Sequence, residues 1–384
     1  MRRTLSGPFA LAAVAGLVAA CSSTGAPANS AAPANSVAPP SASAATATGP
    51  GGSSIAAASS SAQPSVIPVV ISDQLAAGPN RFLYLYLDPA TNQPVSAPDR
   101  TSSVAFYDVD AGATTPFASD KSTFVWAIHG ERGDYLSHVT FPKAGHYAAV
   151  FTTQAPGKPP ESMRFEFDVA DKLSSIAVGQ PAPSVTTPTL ADVGGDIKKI
   201  STDANPDPRF YQVSEDAALA AKKPFVIAFA TPAFCRTGQC GPTLDRVKAI
   251  AKAFPDVAFI NVEPYKLTFT EGRLQPDLDP NGQLQAMPSV ESFGIPTEPW
   301  VFVVDGSGVV RGSFDTIFTD QEIVDSIKQA GGVQKGAVPT LAPTAASASP
   351  QGSGSSPAAS SAASPAGSAG TSPAPSASGY DVAP

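Results

Sequence analysis

Cysteine is nearly missing from this chain. Of 384 residues only three are Cys, and Cys21 sits at the end of an apolar leader, so the body keeps just Cys235 and Cys240. That excludes a small secreted fold held by a disulfide framework, and equally a Cys-rich zinc module. Histidine is as scarce. His129, His138 and His146 are the whole set, with no His-x-His or Glu-x-x-His spacing among them. They read as solvated or capping residues, and no metal or other cofactor is expected. Charge is sparse at 15% of residues, the net charge is −8, and there is no basic run. Nucleic acid is therefore not an expected partner. No apolar run reaches the ~20 residues a membrane-spanning helix needs.

What the chain has in excess is small and turn-forming residues, with 31 Gly and 40 Pro. Ser22 to Ser65 carries no charged or aromatic residue, and from Val338 to Pro384 the only charge is Asp381. Such segments cannot bury enough apolar surface to offset the entropy of ordering, so 21–65 is expected to be a disordered tether and 333–384 a disordered tail. Before the tether, Met1 to Ala20 has Arg2 and Arg3, an apolar stretch from Phe9 and small residues ahead of Cys21, which is the layout of an export signal over 1–20. Val18-Ala19-Ala20-Cys21 resembles a bacterial lipobox. The resemblance implies lipid on Cys21 and an extracytoplasmic protein anchored to the bacterial cell membrane. An ordinary signal peptide or an uncleaved anchor is the alternative.

The remaining stretch is long enough for two cores. Over 66–170 short apolar runs are spaced by turn residues: Val66 to Ile71, Arg81 to Leu87, Val104 to Val109, Thr123 to Ile128, Tyr135 to Phe141, His146 to Thr153 and Met163 to Val169. The last alternates cleanly, with Met163, Phe165 and Phe167 on one face and Arg164, Glu166 and Asp168 on the other. Seven strands without a helical period predict an all-β sandwich, in which His138 and His146 could fall on neighbouring strands. Lys143-Ala-Gly-His-Tyr147-Ala-Ala149 resembles the tyrosine-corner turn of immunoglobulin-like domains, with Ala149 where that family has cysteine. Spacing, docking or partner recognition is the expected role.

Residues 171–205, rich in Pro, Thr and Gly, read as an interdomain linker. Over 206–332 the pattern changes. Ser214 to Lys223 predicts a helix with a serine cap, acids first and lysines last, stopped by Pro224. Phe225 to Ala230 is a buried strand, and Leu244, Val247, Ala251 and Phe254 share one face of a following helix. Between them lies Phe234-Cys235-Arg-Thr-Gly-Gln-Cys240. Val257 to Val262 is a further strand, Trp300 to Val304 and Val309 to Ser313 form a hairpin around Asp305-Gly-Ser-Gly308, and Thr319-Asp-Gln-Glu322 opens a last helix as a capping box. In an oxidising compartment Cys235 and Cys240 are natural disulfide partners.

This α/β arrangement resembles the thioredoxin superfamily, and the residues that carry the resemblance are the cysteine loop between strand and helix, Pro299 before Trp300 to Val304, and the closing hairpin and helix. It implies a cis Glu298-Pro299 bond against the disulfide, with Pro299 presenting backbone to a substrate. The departures are two extra residues between the cysteines and no acid on the preceding strand, which offers only Ile227, Ala228 and Phe229. Residues five apart in a regular helix are too far for a disulfide, so Cys235 belongs in the loop and Cys240 near the first turn. Proton transfer to the second sulfur then needs another group. Glu298, Glu263 and Tyr265 are candidates, Glu298 foremost, unless it is a solvated charge at the domain edge.

The resulting expectation is a membrane-tethered, monomeric thiol–disulfide oxidoreductase acting on protein thiols and disulfides, in which Cys235 attacks, Cys240 resolves, and Pro299 and Glu298 complete the site. The alternative is a docking lipoprotein in which Cys235–Cys240 is a structural staple. A thiol peroxidase is disfavoured because Thr231 lies four residues before Cys235 and Glu298-Pro299-Trp300 stands where that family carries an arginine. Copper delivery is disfavoured because 206–332 has no histidine.

Overall fold

A computed structural model describes residues 64–339. The export signal 1–20, Cys21, the tether as far as residue 63 and the tail from residue 340 onward lie outside the described residues. What is described is β-rich. Eight antiparallel strands come first: β1 (Ile67–Val70), β2 (Gly78–Leu87), β3 (Thr101–Asp108), β4 (Ala118–Lys121), β5 (Thr123–Ile128), β6 (Arg132–Phe141), β7 (Gly145–Gln154) and β8 (Glu161–Val169). They form two sheets, in the orders β1-β2-β6-β5 and β4-β3-β7-β8. Phe82, Tyr84, Tyr135 and Phe141 of one sheet share a core with Phe106, Tyr147, Phe151 and Val169 of the other. The period-two spacing of these residues puts them on the inward faces. Tyrosine hydroxyls within this core stay paired: Tyr84 meets Ser102 and Ser122 at 2.6 and 2.5 Å. Tyr147 donates its hydroxyl to the Lys143 carbonyl at 3.0 Å, closing the turn picked out in the sequence.

Two expectations are corrected here. The strand β4, Ala-Ser-Asp-Lys, carries no apolar pattern and was unpredicted; it is a short polar edge strand paired with β3. His138 and His146 fall on β6 and β7, which belong to different sheets, so strand register does not make them neighbours.

The second body is built on a mixed sheet ordered β10-β9-β13-β14, with β9 (Phe225–Phe229) parallel to β10 (Ala258–Val262) and antiparallel to β13 (Trp300–Val304), which pairs with β14 (Val310–Asp315). All five residues of β9 are buried, which explains its unbroken apolar run. Leu244, Val247 and Ile250 of α2 (Cys240–Ala251) pack with Ile323 and Ile327 of α4 (Asp320–Gln329) on one side, with Val226, Ala228, Val301 and Val303. Ala218 of α1 (Glu215–Ala220) and Phe293 of α3 (Pro288–Phe293) join Phe225, Ile227 and Phe302 in a second cluster. The capping box of α4 is present, Thr319 accepting from the Glu322 amide and Glu322 from the Thr319 amide. The first helix is shorter than predicted. It ends at Ala220, Lys222 turns into the left-handed region (φ 52°), and Ser214 makes no capping bond.

A ribbon of β11 (Leu267–Thr270) and β12 (Arg273–Pro276) follows β10. Residues 171–205 lie against this body: Ile176 donates to the Phe293 carbonyl, Ala182 to Gly308 and Leu190 to Tyr211, at 2.8 to 3.1 Å. Gly294, at the left-handed end of α3, has no room for a side chain, because a Cβ there would lie 2.0 Å from the Ser174 carbonyl oxygen. At the other end, Lys335 donates its amide to Ala253 at 2.7 Å and Val338 packs on the α2 and α4 core. Among the described residues no helix is long and apolar enough to cross a membrane.

The two bodies meet over the outer face of the β1-β2-β6-β5 sheet. On that face Leu83, Val125, Ala127 and Leu136 cluster with Ile317, which follows β14. Arg81 crosses beside them. It donates from Nε to Glu322 at 2.8 Å, from Nη1 to Asp315 at 2.9 Å and from Nη2 to the Ile317 carbonyl at 2.6 Å.

Candidate functional site

The site begins where β9 runs out. After Ala230 and the fully buried Thr231, a loop leads to α2, and Cys235 in this loop is disulfide-bonded to Cys240, the first residue of the helix, across a Cα separation of 5.9 Å. Gly238 sits in the left-handed region at φ 73°, which lets the four intervening residues turn back and bring the two cysteines together ahead of the helix. The two sulfurs have different surroundings: Cys240 is fully buried and Cys235 is half-buried. The helix start has no side-chain cap from Gln239. Instead the Cys240 amide donates to the Cys235 sulfur at 3.1 Å, so that sulfur occupies the position of an N-terminal cap, where the macrodipole favours negative charge. Thr237 Oγ1 lies 3.4 Å from the same sulfur.

Glu298 is brought to this pair. The sulfurs of Cys235 and Cys240 and a carboxylate oxygen of Glu298 all lie within 4.8 Å of one another. Glu298 is only 4% exposed, so the picture of a solvated charge at an edge does not hold. Its Oε1 accepts from the Arg236 amide at 2.9 Å and its Oε2 from the Tyr265 hydroxyl at 2.5 Å. Burial, followed by the hydrogen bond and the charge of Glu298, pushes the Tyr265 hydroxyl well above the ordinary phenol range, which keeps it a donor. The Glu298-Pro299 peptide is cis. Pro299 is buried, and its carbonyl already accepts from the Thr316 amide at 3.1 Å, while the Glu298 carbonyl accepts from Thr237 Oγ1 at 3.3 Å. The backbone around Pro299 thus ties the cysteine loop to the segment after β14.

Glu263, the third candidate, stands apart from the Glu298–Tyr265 pair. It follows β10, is 9% exposed, and accepts from the Thr202 amide at 2.6 Å with Oε1, while Oε2 has no partner. Burial raises it to about 7 against the opposing hydrogen bonds of Thr231 and Thr202. It can hold a proton near neutrality at the base of the cysteine loop. A cleft of about 460 Å³ runs between α2 and the β5–β6 turn, and one of about 320 Å³ opens beside Ala233 and Phe234, lined also by Lys198 and Arg273.

The residue that sequence reasoning missed is Asp73, between β1 and β2. Thr297 and Thr316 both donate side-chain hydroxyls to its Oδ2, and its amide reaches Asp315 at 3.3 Å. Although the residue as a whole is exposed, its carboxylate tip is crowded by protein atoms, and that crowding, with the nearby charges of Asp315 and Glu298, outweighs the Thr297 hydrogen bond and raises it to about 6. No local pattern marks it, because each of its partners lies more than two hundred residues away. The histidines take no part. His146 bridges Asp168 at 2.9 Å and Glu166 at 3.2 Å on an exposed sheet face, and those hydrogen bonds, Asp168 first, raise its proton affinity.

The sequence matches no known protein family and no curated protein. Among solved structures, a DUF4426 family protein from Pseudomonas aeruginosa overlaps 28% of this chain and 90% of its own at 11% identity, with a TM-score of 0.20. FetP from uropathogenic Escherichia coli overlaps 23% of this chain and 71% of its own, at 13% identity and a TM-score of 0.19 for a copper-bound variant and 14% and 0.18 for the protein as isolated.

Proposed function

We propose that this chain is a thiol–disulfide oxidoreductase of thioredoxin-like type, carried behind an immunoglobulin-like sandwich and held outside the cell membrane by lipid on Cys21. The observation that carries the reading is the asymmetry of the Cys235–Cys240 pair. One sulfur is half-buried and hydrogen-bonded by a helix-start amide; the other is fully buried, with the oriented carboxylate of Glu298 beside both. A staple needs no such asymmetry.

In the reducing direction the Cys235 thiolate attacks a substrate disulfide, forming a mixed disulfide and releasing one substrate thiolate. Cys240 then gives up its proton, with Glu298 as the acceptor nearest to hand, and its thiolate attacks the Cys235 sulfur. The second substrate thiolate leaves, and the enzyme pair is oxidised by the two electrons the substrate gains. Oxidation of a dithiol substrate runs the same steps backwards. Partners are proteins with accessible thiols or disulfides.

The test is trapping. Cys240→Ser should accumulate mixed disulfides through Cys235, because the resolving thiol is gone, and Cys235→Ser should trap few. Negligible trapping by both, with a reduction potential below about −300 mV, would favour the second reading, a docking lipoprotein stapled by this disulfide. That reading draws on Asp73, whose contacts with Thr297 and Thr316 flank the cis-proline segment with part of the protein itself.

A further inference from the structure

We propose that, once reduced, Cys235 and Cys240 form with Glu298 a binding site for a zinc ion, with two thiolates and one carboxylate as ligands and a fourth position open toward solvent. This goes beyond the oxidoreductase reading and does not depend on it.

Tetrahedral zinc with sulfur ligands at ~2.3 Å and a carboxylate oxygen at ~2.1 Å requires donors roughly 3.5 to 3.8 Å apart. The three donor atoms here lie within 4.8 Å of one another, so opening the S–S bond and turning side-chain torsions suffices. Two thiolates and a carboxylate suit a borderline-soft divalent ion and reject magnesium and calcium, which take oxygen ligands. Two-coordinate copper(I) would need the sulfurs alone and make no use of Glu298.

The ligands are also already oriented by their surroundings. The Arg236 amide holds Oε1 of Glu298 and the Tyr265 hydroxyl holds Oε2, each leaving a lone pair on its oxygen. The Cys240 amide holds the Cys235 sulfur. Partners of this kind fix ligand orientation and commonly change metal affinity about 10- to 100-fold. Cys240 and Glu298 are buried, so the half-buried Cys235 side is where a water or a substrate ligand would complete the tetrahedron. The Glu298–Tyr265 pair thus has a use in the reduced protein that a permanent disulfide would not give it.

The chemistry balances with a phosphine as reductant: disulfide, phosphine and water give dithiol and phosphine oxide, and the dithiol then takes up Zn²⁺ with loss of two protons. The experiment uses the full chain carrying Cys21→Ser, which removes the remaining thiol. Protein reduced with phosphine and freed of excess reagent is titrated with zinc against a chromogenic chelator, and with cobalt for its thiolate charge-transfer band. Expected are one ion per chain, close to two protons released, and no binding by the oxidised protein. Glu298→Gln should weaken zinc binding more than about 10-fold, and Tyr265→Phe about 10-fold through loss of carboxylate orientation. Absence of binding by the reduced protein would overturn the proposal. Equal affinity in wild type and both variants would also overturn it, by showing that the dithiol alone binds. Tyr265→Phe stands in for Glu298→Gln should the latter fail to fold. Trapping by Cys240→Ser is measured without metal, so either reading can fail while the other stands.

Discussion

Replacing Arg81 with methionine tests how the two bodies are joined. The guanidinium, in a side chain 14% exposed, is shared between Asp315 at 2.9 Å and Glu322 at 2.8 Å, whose side chains are 11% and 18% exposed, and its carbon lies 5.3 Å from the Phe314 ring centroid. Glu322 would keep its capping bonds to Thr319. Asp315 would keep only the long bond from the Asp73 amide among its contacts across this junction. The loss is therefore mostly that of a buried carboxylate left without its counter-charge, about 3 to 5 kcal/mol. For a unit of this size that is a fall in Tm of about 6 to 20 °C.

Its pH dependence gives the sharper check. Burial raises Asp315 above the ordinary carboxylate range even with Arg81 beside it, and without the arginine the rise must grow. A carboxyl raised in the folded state costs nothing when both states are protonated, and the cost climbs with pH until the folded group ionises. Arg81→Met should then be mild near pH 4 and reach its full effect at pH 7 and above, read by urea unfolding with limited proteolysis as a second probe. Adding Asp315→Asn should recover more than half of the loss at neutral pH. A destabilisation that does not vary with pH, or single-variant losses that simply add, would refute the view of Arg81 as the buried counter-charge.

Other outcomes follow from the same contacts. Glu298→Gln removes a negative charge within 4.8 Å of the sulfurs, so alkylation of Cys235 in the reduced protein should be about tenfold faster at mildly acidic pH; an unchanged rate would mean that the carboxylate turns away on reduction. Asp134 is fully buried with neither oxygen bonded, and burial raises it to about 6 despite Arg132. Its ionisation should therefore cost stability as pH rises from about 4 to 6, and Asp134→Asn should remove that contribution to the slope and gain up to about 3 kcal/mol at pH 7, as measured by chemical unfolding across pH. Asp73, also raised to about 6, has the same sign: Asp73→Asn should flatten the slope between about 4 and 6, and a steeper slope in this variant would count against the assignment.

What was legible in the sequence was what local pattern controls. β9, the cysteine loop, α2, the β13–β14 hairpin and the capping box of α4 each rest on residues within a dozen positions of one another. The helix α3 was missed although Pro288 at its start and Gly294 at its end bracket it; six residues give too little periodicity to stand out from the long connection around them. The strands β4, β11 and β12 have four residues each, too few for an alternation to stand out from the loops around them. The lysines after α1 invited too long a helix, because charge at a C-terminus is permissive and does not fix where the last turn ends. The site was half readable. Cys235, Cys240 and the position of Pro299 stand out as isolated signals, whereas the orientation of Glu298 by Tyr265, thirty-three positions away, is a product of folding.

The first body is tied to the second by contacts that no local pattern announces. Its outer sheet face packs on Ile317 and receives Arg246, which donates to the Trp126 carbonyl, and its Arg81 has both carboxylate partners in the second body. Ile317 follows Thr316, which holds the Pro299 carbonyl and donates to Asp73, and Thr297 precedes Glu298 and also donates to Asp73. Any shift of the first body would therefore be felt at the residues on either side of Glu298-Pro299, the segment that sets the carboxylate against the two sulfurs. The contacts that run from Arg81 through Asp315 and Asp73 to Thr297 and Thr316 thus end on the segment that carries Glu298 and Pro299.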